Sequence, residues 1–414
     1  MTVCAPHSAQ STARTTPSAP PADVRRPAFT VTVDGSYAAW LALGRGTDGW
    51  FPERWTLDGP EPYAVSLPGS QPEEPDSEVL PLTDGRVLIR RRVADRYALS
   101  LLYPTGPGTG ELPLGAIECP QLSLLPPAPD GSCAYALVNG ERQTTLWLVY
   151  GCASGPELLA RVPGRCEGGA WLDRSGRLLA LDRELEGLTK AVVVDLGRGG
   201  EVSPLLQITE KSNDRLLLAE PDSGLLVVRS DAPGVDRLGW GVLGSARPVR
   251  FPECLLVPDA TLTPFAAQPG QGLAPEASSV AFRIDREPAG SWLGVWRPAK
   301  KQLQQFQGPA GWLAGAGLWT ADGELKLPFV TPGVPCGLAR LRLSEDGDVL
   351  VAGAEGDGRA TSSTALPVDA TDPDAEIDAE IDAETDEEDA AEGATAVPPP
   401  RPVPLQQAPC ARTP

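Results

Sequence analysis

Residues Ala128 to Val162 read APDGSCAYALVNGERQTTLWLVYGCASGPELLARV. An Asp-Gly turn (Asp130-Gly131) leads into an apolar run, SCAYALV. A polar loop, NGERQTT, separates it from a second run, TLWLVYG, and a third, PELLARV, leads out. Asp-Gly between apolar runs is a strong hairpin signal, because both turn residues tolerate φ > 0. Period-two alternation inside the runs points to half-buried strands. Leu172 to Thr209, LDRSGRLLALDRELEGLTKAVVVDLGRGGEVSPLLQIT, repeats the same order.

Working outward, the turn recurs at Asp34-Gly35, Asp84-Gly85, Asp173 to Gly176, Asp222 to Gly224 and Asp322-Gly323. With Asp130 included, successive leading positions lie 50, 46, 43, 49 and 100 residues apart. The last gap is two repeat lengths, so one unit carries an altered turn, expected around Pro275 to Ser278. A short strand precedes the turns (FTVTV, LSLLPPA, GGAWL, GAGLW), and a last strand closes each unit (PYAVSL, GELPLG, EVSPLLQIT, ARPVRF, KQLQQF, DVLVAG). Each unit therefore holds four strands. Units of this length with four antiparallel strands specify an all-β, seven-bladed β-propeller over residues 28–354. No amphipathic helical pattern interrupts it, which excludes a helical solenoid. Radial closure also removes the exposed edges that an open sheet of this size would present. Trp147, Trp171, Trp240, Trp292, Trp296 and Trp319 fall in the strands and are expected to fill the space between blades.

Composition divides the rest of the chain. Residues 1–27 are Ser/Thr/Ala/Pro-rich and lack the apolar core of a signal peptide; they read as a disordered lead. Residues 355–414 read as a disordered tail, first acidic and then Pro-rich (VPPPRPVP), the latter suited to an extended polyproline helix. The formal charge of −20 belongs mainly to that tail, since residues 369–392 hold thirteen acids and no Lys or Arg. The tail is expected to be solvated by its own repulsion, although Ile377 and Ile381, four apart, would share a helical face on contact with a basic partner. Removing those acids leaves about −7, ordinary for a soluble domain. Beyond Arg90-Arg91-Arg92, read as alternating exposure along one strand, no basic cluster exists, so nucleic-acid binding is not expected. No apolar run is long enough to span a membrane. The eight cysteines form no C-x-x-C pair, and they are expected to be reduced thiols in a cytoplasmic, monomeric protein. The 14, 19, 14 spacing of Cys119, Cys133, Cys152 and Cys166 lacks the close ligand pairs and the histidines of a structural zinc site. No metal and no cofactor are expected.

The pattern x-P-D-G-x-x-apolar … W-x-V-x-x-G … P-x-x-L resembles the propellers of the TolB-like and prolyl-oligopeptidase type (peptidase S9 N-terminal region), over about 325 residues. The G-H and W-D dipeptides of WD40 repeats are absent. In the oligopeptidase family the resemblance implies a propeller gating an α/β-hydrolase domain with a Ser-Asp-His triad. This chain departs from that pattern. It has no G-x-S-x-G nucleophile elbow, its one histidine is His7 in the lead, and no βαβ-patterned segment follows the repeats.

Two equivalent strand ends attract attention as carboxylate sites: Asp182 and Glu184 in one unit, Asp285 and Glu287 in another. Paired carboxylates can do acid–base work, yet Asp-Arg-Glu at a strand end also suits a solvated hairpin. Ser344 to Asp348 lacks the ligand order of a calcium loop and reads as a tight turn. With no nucleophile elbow, dinucleotide fingerprint or phosphate loop, the leading expectation is a non-catalytic module that binds or scaffolds a protein or peptide partner. The alternatives are the propeller portion of a serine hydrolase acting with a separate catalytic domain, and a propeller enzyme using channel carboxylates or a bound ion.

Overall fold

The computed structural model describes residues 28–44, 49–106, 108–270, 274–286, 288, 290–343 and 349–352. They form a seven-bladed β-propeller. Blade 1 is β1 (Thr30–Val31), β2 (Tyr37–Leu43), β3 (Trp50–Thr56) and β4 (Tyr63–Ser66). Blade 2 is β5 (Glu78–Pro81), β6 (Val87–Val93), β7 (Arg96–Pro104) and β8 (Thr109–Glu118). Blade 3 is β9 (Leu122–Leu124), β10 (Ala134–Asn139), β11 (Gln143–Tyr150) and β12 (Glu157–Pro163). Blade 4 is β13 (Arg165–Trp171), β14 (Leu178–Leu185), β15 (Leu188–Asp195) and β16 (Glu201–Pro204). Blade 5 is β17 (Asp214–Glu220), β18 (Leu225–Ser230) and β19 (Arg237–Val242). Blade 6 is β20 (Thr261–Ala267), β21 (Val280–Arg286), β22 (Gly290–Trp296) and β23 (Leu303–Gln307). Blade 7 is β24 (Leu318–Trp319), β25 (Glu324–Phe329), β26 (Gly337–Leu343) and β27 (Val349–Ala352). Strands pair antiparallel with their sequence neighbours inside each blade; one parallel bridge, Lys190 to Asp214, joins blades 4 and 5.

The Asp-Gly turns work differently from the mirror-image hairpin turn expected of them. Only the glycine is left-handed, with φ between +66° and +82° at Gly35, Gly85, Gly131, Gly176, Gly224 and Gly323; none of the aspartates has positive φ. The aspartate carboxylate instead accepts a backbone N–H just past the turn: Ser36 on Asp34, Arg86 on Asp84, Ser132 on Asp130, Arg177 on Asp173. Aspartate is favoured here as a local acceptor, and glycine for its backbone. In blade 6 the corresponding connection is a longer loop containing a 3₁₀ turn, Pro275–Ala277, where the altered turn was expected.

Alternation of side chains then builds the core. Seven apolar clusters occupy the seven seams between blades. In β18, Leu225 and Val227 face blade 6, while Leu226 and Val228 face blade 4. In β6, Val87 and Ile89 face blade 1 and Leu88 faces blade 3. Each such fully buried side chain contributes on the order of 1.5–3 kcal/mol. Of the tryptophans expected between blades, Trp171, Trp240, Trp296 and Trp319 are buried in seams, and Trp147 and Trp292 pack against seam clusters half-buried. Blade 1 and blade 7 are each built from one continuous stretch, so packing closes the ring without a shared strand. Phe29, Val31 and Trp55 of blade 1 meet Leu313, Val330 and Cys336 there.

One expected strand is missing. ARPVRF has the pattern of the outer strand of blade 5, yet it contributes a single bridge, Arg250 to Trp240. Pro248 and Pro252 flank that bridge and have no N–H to donate, so the ladder cannot extend in either direction.

Candidate functional site

Strand direction alternates through each blade, which sorts the connections onto two faces. The first-to-second turns lie on one face. The second-to-third hairpins and the blade-to-blade links lie on the other, here called the tip face.

Of the nine exposed large apolar residues among the described residues, five lie on the tip face; Val33, Tyr63 and Tyr103 lie at turns of the opposite face and Leu112 on the outer strand of blade 2. Leu43, Val93, Leu185 and Val235 stand at the hairpins of blades 1, 2, 4 and 5, and Leu256 on the link from blade 5 to blade 6. All five are between 43% and 60% exposed. The hairpins of blades 2 and 4 are two-residue turns with Ala94 and Glu186 at φ 56° and 55°, a region costly for side chains with a Cβ. The apolar residues Val93 and Leu185 immediately precede these strained positions.

Between blades 5 and 6 the same face opens into a pocket of about 230 Å³. Leu238, Leu255 and Leu262 form its buried walls, with Leu256 at its mouth. Arg229 donates to the Leu262 carbonyl at 3.1 Å, and Arg237 to the Phe251 and Pro252 carbonyls at 3.4 Å. The pocket lies where blade 5 lacks a regular outer strand, beside the short 3₁₀ turn Glu253–Leu255 that follows.

The carboxylates singled out from sequence have unlike surroundings. Asp182 is buried in the seam between blades 4 and 5, where it accepts the Leu216 N–H at 2.8 Å. Burial pushes its pKa up to about 6; nearby Glu167 adds to the rise, while the Leu216 hydrogen bond and Arg215 oppose it. Glu184, two residues on, is exposed. Asp285 is half-exposed and accepts from Arg283 Nε at 2.7 Å and Ser291 Oγ at 2.6 Å. Glu287 lies outside the described residues, as do the Ser344 to Asp348 loop and the tail. Asp182 and Asp285 thus sit in different blades with different partners.

Asp182 belongs to a set of cross-blade fasteners. An innermost strand has a ladder partner on one side only, leaving backbone groups that need another. A side chain from the preceding blade supplies it. Glu78 accepts the Leu124 N–H at 2.7 Å, Thr144 the Cys166 N–H at 2.8 Å, Asp182 the Leu216 N–H, and Arg229 donates to the Leu262 carbonyl. Nearby, Asp214, fully buried, accepts from Lys190 Nζ at 2.7 Å, Ser230 Oγ at 2.6 Å and the Ile208 N–H at 3.0 Å. These residues carry no sequence motif, because each acts on a neighbour one blade away.

The remaining reactive groups are held in quiet environments. The Arg triplet does not alternate but grades from buried to exposed: Arg90 is buried over the Tyr97 ring and bonded to the Asp76 carbonyl at 2.6 Å, Arg91 is clamped by Glu73 and Glu111, and Arg92 is exposed. Among the described residues six cysteines are unbridged. Burial raises the Cys166 thiol to about 11 and the Cys336 thiol to about 12, and it raises Cys119, Cys133 and Cys254 as well. A thiol that stays protonated is a poor nucleophile and a poor metal ligand. No helix among the described residues is long and apolar enough to cross a membrane.

No family model and no curated protein matches the chain. Solved structures do. The chain is similar to a puromycin-hydrolyzing peptidase of Mycobacterium tuberculosis, at 17% identity and a TM-score of 0.49 over 82% of this chain and 54% of that one. It is similar to the β-propeller domain of the Trilobed protease from Pyrococcus furiosus, at 9% identity and a TM-score of 0.49 over 79% and 94%. It is also similar to TolB from Acinetobacter baumannii, at 11% identity and a TM-score of 0.41 over 76% and 82%. At these identities the likeness is one of fold alone. The chain spans about half the length of the Mycobacterium peptidase.

Proposed function

We propose that the protein is a non-catalytic binding or scaffolding module that holds a protein or peptide partner against its tip face. The observation that carries this reading is the placement of Leu43, Val93, Leu185 and Val235 at four hairpin ends of one face. Single exposed apolar residues are ordinary on any surface. Several on one rigid rim, two beside strained turns, are arranged as contact points that a partner would bury. The fasteners beneath them keep the rim preorganised, which reduces the ordering cost of association. The reading places the protein in the cytoplasm, in keeping with its unbridged thiols.

Affinity purification of the full chain tests it. The comparison is wild type against Leu43→Ser, Val93→Ser, Leu185→Ser and Val235→Ser combined. A protein co-purifying stoichiometrically with wild type and lost from the variant, with melting unchanged, is the expected result. A wild-type chain that emerges alone, or a partner kept by the variant, refutes the reading.

A further inference from the structure

We propose that the chain's own acidic segment, Asp374–Glu384, docks into the pocket between blades 5 and 6, with Ile377 or Ile381 in the apolar cleft and a flanking carboxylate against Arg229 and Arg237. The inference goes beyond the partner reading and does not depend on it.

The pocket's size limits its occupant. At about 230 Å³ it is smaller than the ~300 Å³ at which sites for drug-sized ligands begin, so it suits a side chain or two of a peptide. Its chemistry asks for an apolar group next to a carboxylate. The walls are leucines, and the side chains of Arg229 and Arg237 are 32% and 14% exposed, both fixed by backbone carbonyls. Their counter-charges stand in water. Asp236 is 64% exposed and 3.8 Å from Arg229; Glu253 is 80% exposed at 3.0 Å from Arg237. Ion pairs of that kind are worth about 0–1 kcal/mol, and an incoming carboxylate can replace them.

The tail offers that combination within reach. Its sequence DAEIDAEIDAE places each isoleucine between a glutamate and an aspartate, and Ile377 and Ile381 are the large apolar residues of the acidic stretch. Topology delivers it to the correct side: β27, a fourth strand, runs toward the tip face and ends at Ala352, on the face where the pocket opens. The 21 residues between Ala352 and Asp374 can extend about 70 Å. A propeller of this size has a radius of gyration of about 20 Å, so the whole tip face is accessible. Repulsion from acids elsewhere on the propeller is screened beyond ~8 Å at physiological ionic strength. Tethering supplies an effective concentration of roughly millimolar, so weak intrinsic affinity suffices.

Fluorescence anisotropy of a labelled peptide spanning residues 372–386 tests the docking. One titration uses the wild-type full chain. The other uses a full chain whose tail carries Glu376→Gln, Ile377→Ser, Asp378→Asn, Glu380→Gln, Ile381→Ser and Asp382→Asn. The peptide should bind the tail variant at least tenfold more tightly than wild type, because the native tail competes in cis. Adding Leu256→Asp, at an exposed position, should weaken that binding at least tenfold without lowering the melting temperature. Absence of binding, equal binding to both chains, indifference to Leu256→Asp, or equal binding of a scrambled peptide overturns the proposal. So does a concentration-dependent dimer of wild type that the tail variant lacks, which would put the tail in a second copy. Partner retention in the tip-variant purification reads out separately, so either idea can fail alone.

Discussion

Replacing Asp182 by Asn should reverse part of the protein's pH-dependent stability. The carboxyl is buried between blades 4 and 5, faces Glu167 across the β13–β14 register, has Arg215 beside it, and accepts the Leu216 N–H. Its pKa rises from 3.8 to about 6 on folding. The folded chain therefore holds a proton that the unfolded chain releases between those values, so stability falls as pH rises through that window. At one proton and 1.36 kcal/mol per unit, the loss amounts to ~3 kcal/mol. The contribution is fully present only well below pH 4 and is lost as pH rises through about 6.

Asparagine keeps a carbonyl oxygen for the Leu216 N–H and does not titrate in this range. Its added NH₂ group shifts stability by an amount that does not vary with pH, so the diagnostic quantity is how the wild-type-to-variant difference changes. Urea unfolding followed by tryptophan fluorescence at half-unit steps from pH 4 to 7.5 measures it. The variant should gain about 2 kcal/mol on wild type between pH 4 and pH 6.5, the rest of the change lying below pH 4, and little more above pH 6.5. A difference that stays constant within about 0.5 kcal/mol, or that runs the other way, would show that Asp182 is charged and solvated in the seam and that the burial argument is wrong.

The other expectations are simpler. Thr144→Val removes the hydroxyl that accepts the Cys166 N–H at 2.8 Å and donates to Asn139 at 2.7 Å, leaving a buried donor unpaired. It should cost about 1–3 kcal/mol in denaturant unfolding, and no loss would mean that water or a shifted backbone satisfies Cys166. Cys166, fully buried with its thiol raised to about 11, should resist iodoacetamide in the native protein at pH 8 and react on unfolding. Peptide mapping that finds Cys166 modified at the rate of a free thiol would contradict the closed seam between blades 3 and 4.

The architecture was legible because its cause is local and repeated. Asp130-Gly131 and its five counterparts announce blade after blade, and the period-two runs between them assign each side chain to a seam. The turn chemistry is not legible in one detail, since an aspartate that accepts an N–H looks the same in sequence as one that adopts φ > 0. The outer strand of blade 5 fails to form because Pro248 and Pro252 forbid the ladder, although its apolar residues fit a strand. Asp182 and Asp285 were matched by their place in the repeat. A carboxylate's environment, however, depends on whether the next blade reaches it: Asp182 receives the Leu216 N–H of blade 5, whereas Asp285 has Arg283 and Ser291 of its own blade as partners. The fasteners and the tip residues went unseen for the same reason, as each is defined by spatial neighbours a blade or more away.

Two irregularities of the ring bear on where binding occurs, and they fall at different seams. The closing seam between blades 7 and 1 has no shared strand, yet it is sealed. Phe29, Val31 and Trp55 of blade 1 pack across it against Leu313, Val330 and Cys336 of blade 7. The pocket lies elsewhere, between blades 5 and 6, where the ring is covalently continuous and only an outer strand is lost. It is therefore not a by-product of imperfect closure. Two prolines interrupt the outer strand of blade 5, and the space between blades 5 and 6 is walled by leucines and two fixed arginines rather than filled. Restoring the ladder tests this directly. Pro248→Val with Pro252→Val should lengthen the pairing to β19 and protect the amides beside Arg250 from hydrogen exchange, and the tail peptide should then bind less well. Restored pairing with undiminished peptide binding would separate the missing strand from the pocket and remove this explanation of its origin.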